Sequence, residues 1–236
     1  MNVISHAGLG SVMRHTKNLL LDFDGPICSI FAGRPASLIA SEIRELIRDH
    51  DDSVPEHLLE QDDPLQLLGV TPLLGNVALM QQADEVLRQA EIDAAGTAEG
   101  TPHLLDVLQA AREKGLSLGV VSNNSVEAVM AYLERHGLAS NFVTVVGRYK
   151  GMDPRLLKPN SHLVVRAMMR MDAPHWSTTL VGDSATDIAA AHSASIRCVG
   201  YANKPGKRGR LAAAGADAVV ESMAELARTI APMSAM

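Results

Sequence analysis

The sequence predicts an α/β fold: a doubly wound parallel sheet of Rossmann-like type, with a small all-α unit inserted after the first strand. Three observations predict it. Short apolar runs recur with well-punctuated helical stretches between them. Several of these runs end in Asp, Ser or Gly-Asp, as strands do when they carry a site at their carboxyl ends. Between about residues 34 and 96 the runs stop and only helical periodicity remains.

The strands are expected near 18–22, 116–122, 142–147, 178–182, 195–200 and 217–221. Thr101 and Pro102 are expected to open the helix that Gly115 closes, and Ser125 the helix that Gly137 closes. Such βαβ alternation demands parallel strands covered by helices on both faces. In the insert, Ile39, Ile43, Leu46 and Ile47 mark an amphipathic helix beginning at Pro35. A short helix from Pro64 to Leu68 follows Asp63 as its cap, and a longer one from Asn76 to Ala95 ends at Gly96. The division expected is a core of residues 17–33 and 97–236, with a helical cap over 34–96 hinged near Gly33 and Gly96. Residues 1–16 and the last few are expected to be flexible.

The composition narrows the function classes. Of 236 residues, 47% are hydrophobic, as in a globular protein, and 3% are aromatic, so the core is aliphatic and base-stacking platforms are not expected. The net charge of −6 argues against a nucleic-acid binder. Cys28 and Cys198 are too few for a disulfide framework and read as reduced core thiols of a cytoplasmic protein. No apolar run is long enough to span a membrane, and residues 1–16 lack a signal peptide's apolar stretch. Monomer and homo-oligomer both stay open. Residues 34–96 hold 13 acids against four Arg and no Lys, a poor docking surface for a polyanion.

Four segments carry the chemistry. In Leu19-Leu20-Leu21-Asp22-Phe23-Asp24-Gly25, side-chain alternation sends Phe23 one way and both carboxylates the other as the strand ends. Like charges so close are kept where a cation or a shared proton makes the pair useful. Val181-Gly182-Asp183-Ser184-Ala185-Thr186-Asp187 places two further acids about one helical turn apart. Val121-Ser122-Asn123-Asn124-Ser125 ends a strand in groups that suit an anion. Lys158, stiffened by Pro159, falls between the second and fourth strand ends.

In this order, D-x-D-G, strand-end Ser, Lys and G-D-x-x-x-D, the chain resembles the haloacid dehalogenase superfamily, of the phosphoglycolate-phosphatase-like type with a helical cap. The resemblance runs from about Lys17 to about Ala227 and implies a Mg²⁺-dependent phosphatase of a small phosphorylated metabolite. Asp22 would be the nucleophile, forming an aspartyl phosphate, and Asp24 the general acid and base. Mg²⁺ would be held by Asp22, the backbone carbonyl of Asp24, and Asp183, with Asp187 bound or close by. Ser122, the Asn123 backbone N–H and Lys158 would hold the transferring phosphoryl group. Arg34, and with less support Arg148, could meet a carboxylate or second phosphate on the substrate. Asp24 favours phosphate over halide chemistry, because a halide leaves without a proton. The chain departs from the family pattern at Pro26 and at Ser29-Ile30, where phosphoglycolate-type relatives often have Asp-Ser. A Lys-free cap speaks against a phosphotransferase or mutase on this scaffold. The Asp pair and the insert speak against a non-catalytic phosphate-binding or regulatory domain.

Overall fold

Leu19, Leu20 and Leu21 have no exposed surface, because the strand they form lies inside the sheet and is covered on both faces. The computed structural model describes residues 7–31, 35–50 and 54–231. Its strands are β1 (Asn18–Leu21), β2 (Cys28–Ser29), β3 (Glu99–Gly100), β4 (Ser117–Ser125), β5 (Thr144–Arg148), β6 (Thr178–Gly182), β7 (Arg197–Tyr201) and β8 (Ala218–Val220). Six of them form one parallel sheet in the order β5-β4-β1-β6-β7-β8. The chain winds outward from β1 through β4 and β5, then restarts beside β1 with β6. The switch point therefore lies between β1 and β6, with Leu20 opposite Leu180. All six expected strands are present.

The helices are α1 (Ala7–Arg14), α2 (Ala36–His50), α3 (Glu56–Leu59), α4 (Pro64–Val70), α5 (Val77–Ala95), α6 (Leu104–Lys114), α7 (Val126–Arg135), α8 (His162–Arg170), α9 (Ala185–Ser193), α10 (Lys207–Ala213) and α11 (Met223–Ile230). Leu19, Leu21 and Phe23 pack with α1, α6, α7 and α11 on one face of the sheet. Leu20, Val121 and Leu180 pack with α8, α9 and α10 on the other, where the inserted helices join the same apolar layer through Ile39, Ile43, Leu68 and Leu87. Strict alternation along β1 thus feeds two cores at once.

The insert forms as its periodicity requires. Ile39, Ile43 and Ile47 bury one stripe of α2. Asp63 caps α4 by accepting from the Leu65 N–H, and Asn76 caps α5 by accepting from Leu79. The antiparallel pair β2–β3 (Cys28 opposite Gly100, Ser29 opposite Glu99) ties together the chain entering and leaving the helical unit. Gly33 lies outside the described residues. Gly96 has ordinary helical backbone, φ −64°, which needs no glycine freedom.

Two expectations are corrected. The amino-terminal segment is not frayed throughout: α1 puts Leu9, Val12 and Met13 into the core, because its apolar positions fall on one helical face. Residues 1–6 and 232–236 lie outside the described residues. Thr101 and Pro102 do not open α6, which starts after a left-handed His103; the Thr101 hydroxyl instead donates to the Gly25 carbonyl at 2.5 Å. No helix among the described residues is long and apolar enough to cross a membrane.

Met13 is completely buried. Met13→Ala is expected to cost about 2–4 kcal/mol in urea unfolding, whereas a frayed amino terminus would give no change.

Candidate active site

The chain leaves β1 through Asp22, whose N–H donates to the Val181 carbonyl at 2.9 Å and so extends the sheet by one residue. The Asp22 carboxylate is pinned at Oδ1 by the Phe23 N–H (2.7 Å) and by Lys158 Nζ (2.9 Å). Phe23 turns into the opposite core and meets Tyr132 edge-on at 5.3 Å. Asp24 stands at the cleft mouth, open to solvent on one side, and its Oδ1 accepts from the Ile30 N–H at 3.1 Å. Gly25 then turns at φ +100°, and a Cβ there would lie 2.6 Å from Asp183 Cγ. Only glycine meets both demands.

β6 ends at Gly182, and Asp183 follows it. A Cβ on Gly182 would lie 2.4 Å from Asp187 Cβ, so the glycine is what lets the first turn of α9 fold back against the strand end. Ser184 and Asp187 form a reciprocal capping box: Asp187 Oδ2 accepts from the Ser184 N–H (3.1 Å) and hydroxyl (2.6 Å), and Ser184 Oγ accepts from the Asp187 N–H (3.2 Å). This leaves Asp187 Oδ1 for Lys158 Nζ at 2.5 Å. Asp183 accepts at Oδ2 from Asn203 Nδ2 (3.1 Å) and from Lys207 Nζ. Carboxylate oxygens of Asp22, Asp183 and Asp187 lie within 4.8 Å of one another.

The Ser122 turn and the Lys158 loop form the other wall. Asn123 joins them: its Oδ1 accepts from the Lys158 N–H (2.8 Å) and its Nδ2 donates to the Lys158 carbonyl (3.0 Å). That side chain is a brace between two loops. Lys158 Nζ also donates to the Val121 carbonyl at 3.3 Å, so the ammonium is fixed between the end of β4 and two carboxylates.

Charge explains the electrostatics. Burial pushes the Asp22 carboxyl well above its ordinary pKa; Asp187, and more weakly Asp183, push the same way, and Lys158 opposes them. Burial by the cleft walls likewise raises Asp24, and Asp183 adds to this, against the Ile30 hydrogen bond and the charges of Lys204 and Lys207. Burial acts to lower Lys158, but Asp187 and Asp22 outweigh it and hold the ammonium above its usual pKa.

The cleft, about 840 Å³, is lined from the core by Asp22, Asp24, Ser122, Asn123, Lys158 and Asp183. The start of α4 (Asp62 to Gln66) forms part of its opposite wall. The expected site residues Asp22, Asp24, Ser122, Asn123, Lys158, Asp183 and Asp187 thus meet at one place. Arg34 lies outside the described residues. Arg148 does not line the cleft; it is buried and spent on Asp84, Glu91 and the Asn123 carbonyl. Sequence reading missed this cluster, although Asp84 and Glu91 sit seven residues apart on the apolar face of α5, a pattern that calls for a buried cation. It also missed Lys207 and Asn203, in the loop and helix start after β7.

The sequence pattern that defines haloacid dehalogenase-like hydrolases matches residues 41–201, more than half of the chain. This chain belongs to that family. The haloacid dehalogenase-like match begins after Asp22 and Asp24, but β1 pairs in register with β4 and β6, both inside it. Phosphoglycolate phosphatase of Escherichia coli (strain K12) is 37% identical over 105 residues, and that of Salmonella typhi 36%. Each match takes in 43% of this chain and 40% of the relative, well under two-thirds of the relative's length. Among solved structures, a predicted phosphatase from Clostridium acetobutylicum superposes with TM-score 0.69 at 19% identity, over 91% of this chain and 98% of that one. A predicted phosphoglycolate phosphatase from Haemophilus somnus gives 0.61 at 19%, over 91% and 97%. These two show the shared fold.

The raised pKa of Asp22 has a stability consequence. An acid whose folded-state pKa lies above its unfolded value destabilises the fold where it is forced to ionise; that penalty is full above the folded-state pKa, shrinks as pH falls through it, and is gone below the unfolded-state pKa. Chelator-treated Asp22→Asn is therefore expected to melt above the parent at neutral pH, with the gain shrinking on acidification. A lower melting temperature at neutral pH would contradict the assignment.

Proposed function

We propose that this protein is a Mg²⁺-dependent phosphatase that hydrolyses a small phosphorylated metabolite through an aspartyl phosphate. The observation that carries the reading is the placement of Asp22: fixed at the floor of the cleft by Lys158, one residue from Asp24, and beside the Ser122 turn. Membership of the haloacid dehalogenase-like hydrolases supports the same reading.

Asp22 attacks phosphorus in line, and the bond from phosphorus to the substrate oxygen breaks. Asp24, as general acid, gives its proton to that oxygen as it leaves. A water then attacks the aspartyl phosphate, its proton passes to Asp24, and free phosphate and the Asp22 carboxylate are restored. Lys158, the Ser122 hydroxyl and the Asn123 backbone N–H steady the phosphoryl oxygens during both steps.

The donor set suits a hard cation: only carboxylate oxygens, two of the three residues buried, with more negative charge than Lys158 and Lys207 neutralise. Asp22, the Asp24 carbonyl and Asp183 would hold Mg²⁺, with Asp187 bound or alongside. When bound, the ion supplies the counter-charge that lets a carboxylate approach a phosphate dianion.

In this reading residues 34–96 act as a cap over residues 17–33 and 97–236. The named relatives make phosphoglycolate the first compound to test, alongside esters of uncharged alcohols, since Asp62 and Asp63 face the cleft without a cap lysine. The buried, unpaired Cys28 and Cys198 support a cytoplasmic setting.

Phosphate release from p-nitrophenyl phosphate and a panel of phosphometabolites with Mg²⁺ tests the proposal. Asp22→Asn is expected to lose about 10³-fold or more in turnover with its fold intact; near-parent turnover would remove Asp22 as nucleophile. Chelation with EDTA is expected to stop the reaction and added Mg²⁺ to restore it. Undiminished activity in demetallated protein would refute the metal's role.

A further inference from the structure

The Ser122 turn is held from behind by a residue of the inserted helical unit. Glu91, on α5, has no exposed surface, and four N–H groups converge on it. Its Oε1 accepts from Asn124 Nδ2 (3.1 Å) and Arg148 Nη1 (3.0 Å). Its Oε2 accepts from the Ser125 backbone N–H (2.8 Å) and Arg148 Nη2 (3.0 Å). Arg148 Nη1 also reaches the Asn123 carbonyl at 2.9 Å, so every residue from 123 to 125 is gripped.

The chain of bonds has a fixed sense. A carboxylate can only accept, so Asn124 must present its NH₂ to Glu91. Asn124 Oδ1 is thereby turned to Ser122, whose hydroxyl donates to it at 3.0 Å, while the Asn124 backbone N–H donates to Ser122 Oγ at 3.1 Å. Ser122 Oγ is placed by these bonds; when its one proton leaves Asn124 Oδ1 to meet a phosphoryl oxygen, the Asn124 N–H still holds Oγ in position. Asp84, two helical turns before Glu91, accepts from Arg148 Nε at 2.6 Å and, among the described residues, makes no hydrogen bond to the turn. It anchors the cation but not the loop.

We infer that Glu91 is a positioning residue: through Asn124 and Ser125 it sets the geometry of the phosphate-binding turn, so the inserted helices shape the phosphate site as well as the wall opposite it. This rests on the proposed role of Ser122, and the test separates the two.

The full chain and its Ser122→Ala, Glu91→Gln, Asp84→Asn and Ser122→Ala/Glu91→Gln variants are compared with saturating Mg²⁺. The readouts are kcat and KM on p-nitrophenyl phosphate, inhibition by inorganic phosphate, and the melting temperature. Ser122→Ala and Glu91→Gln are each expected to weaken phosphate inhibition by about tenfold or more, with the double variant within about twofold of Ser122→Ala alone. Asp84→Asn is expected to lower the melting temperature yet leave phosphate inhibition within about twofold of the parent. If Glu91→Gln does not fold, Asn124→Ala breaks the same link and is expected to weaken inhibition equally. Parent-like inhibition in Glu91→Gln, additive losses in the double variant, or equal shifts in Asp84→Asn and Glu91→Gln would overturn the inference and leave the Ser122 assignment standing. An unaltered Ser122→Ala would overturn the Ser122 assignment itself, and the inference with it.

Discussion

Three carboxylates with oxygens inside 4.8 Å of one another repel, and the ammonium of Lys158 is what makes their packing tolerable. At an effective dielectric constant near 20, each such pair costs about 3–4 kcal/mol. Lys158 bridges Asp22 and Asp187 directly. It is carried on a loop that the Asn123 brace and the Val121 carbonyl hold in place. The remaining carboxylate, Asp183, is met from the other side by Lys207 and Asn203. Two lysines against three acids leave a deficit of positive charge, and that deficit is the physical basis for reading the site as a cation site.

Such crowding is possible only where backbone comes unusually close to side chain. Gly25 and Gly182 occupy the two positions where a Cβ would strike Asp183 or Asp187. Both lie at the carboxyl ends of adjacent parallel strands, at the switch point where the chain changes its direction of winding. The architecture opens a crevice there, the glycines let the acids into it, and the inserted helices close its far side.

The helical unit is fastened to the core as well as laid over it. Its apolar stripe is continuous with one face of the sheet, and Arg148 meets Asp84 and Glu91 in the same interface. A buried charge cluster is a poor source of stability but a strict specifier of geometry, because each group must find its partner or bear the full cost of desolvation. The unit's helical character was legible from periodicity and from the cap at Asp63; the capping role of Asn76 and the unit's attachment were not.

By itself the sequence determined the alternation of strands and helices, the six strand positions, the helical insert and the identity of the acids, hydroxyl and lysine that gather in the cleft. These follow from local rules: side-chain alternation, helical periodicity, capping residues and strand ends marked by Asp, Ser or Gly. Tertiary structure alone decided that α1 is part of the core, that the Asn123 side chain braces a loop, that Lys207 meets Asp183, and that Arg148 is buried against Glu91 away from the cleft. The physical reason is that each of these is a choice of partner between elements distant in sequence. Charge and hydrogen-bonding capacity can be read one residue at a time, but which opposite charge comes within reach is set only when the sheet and helices pack.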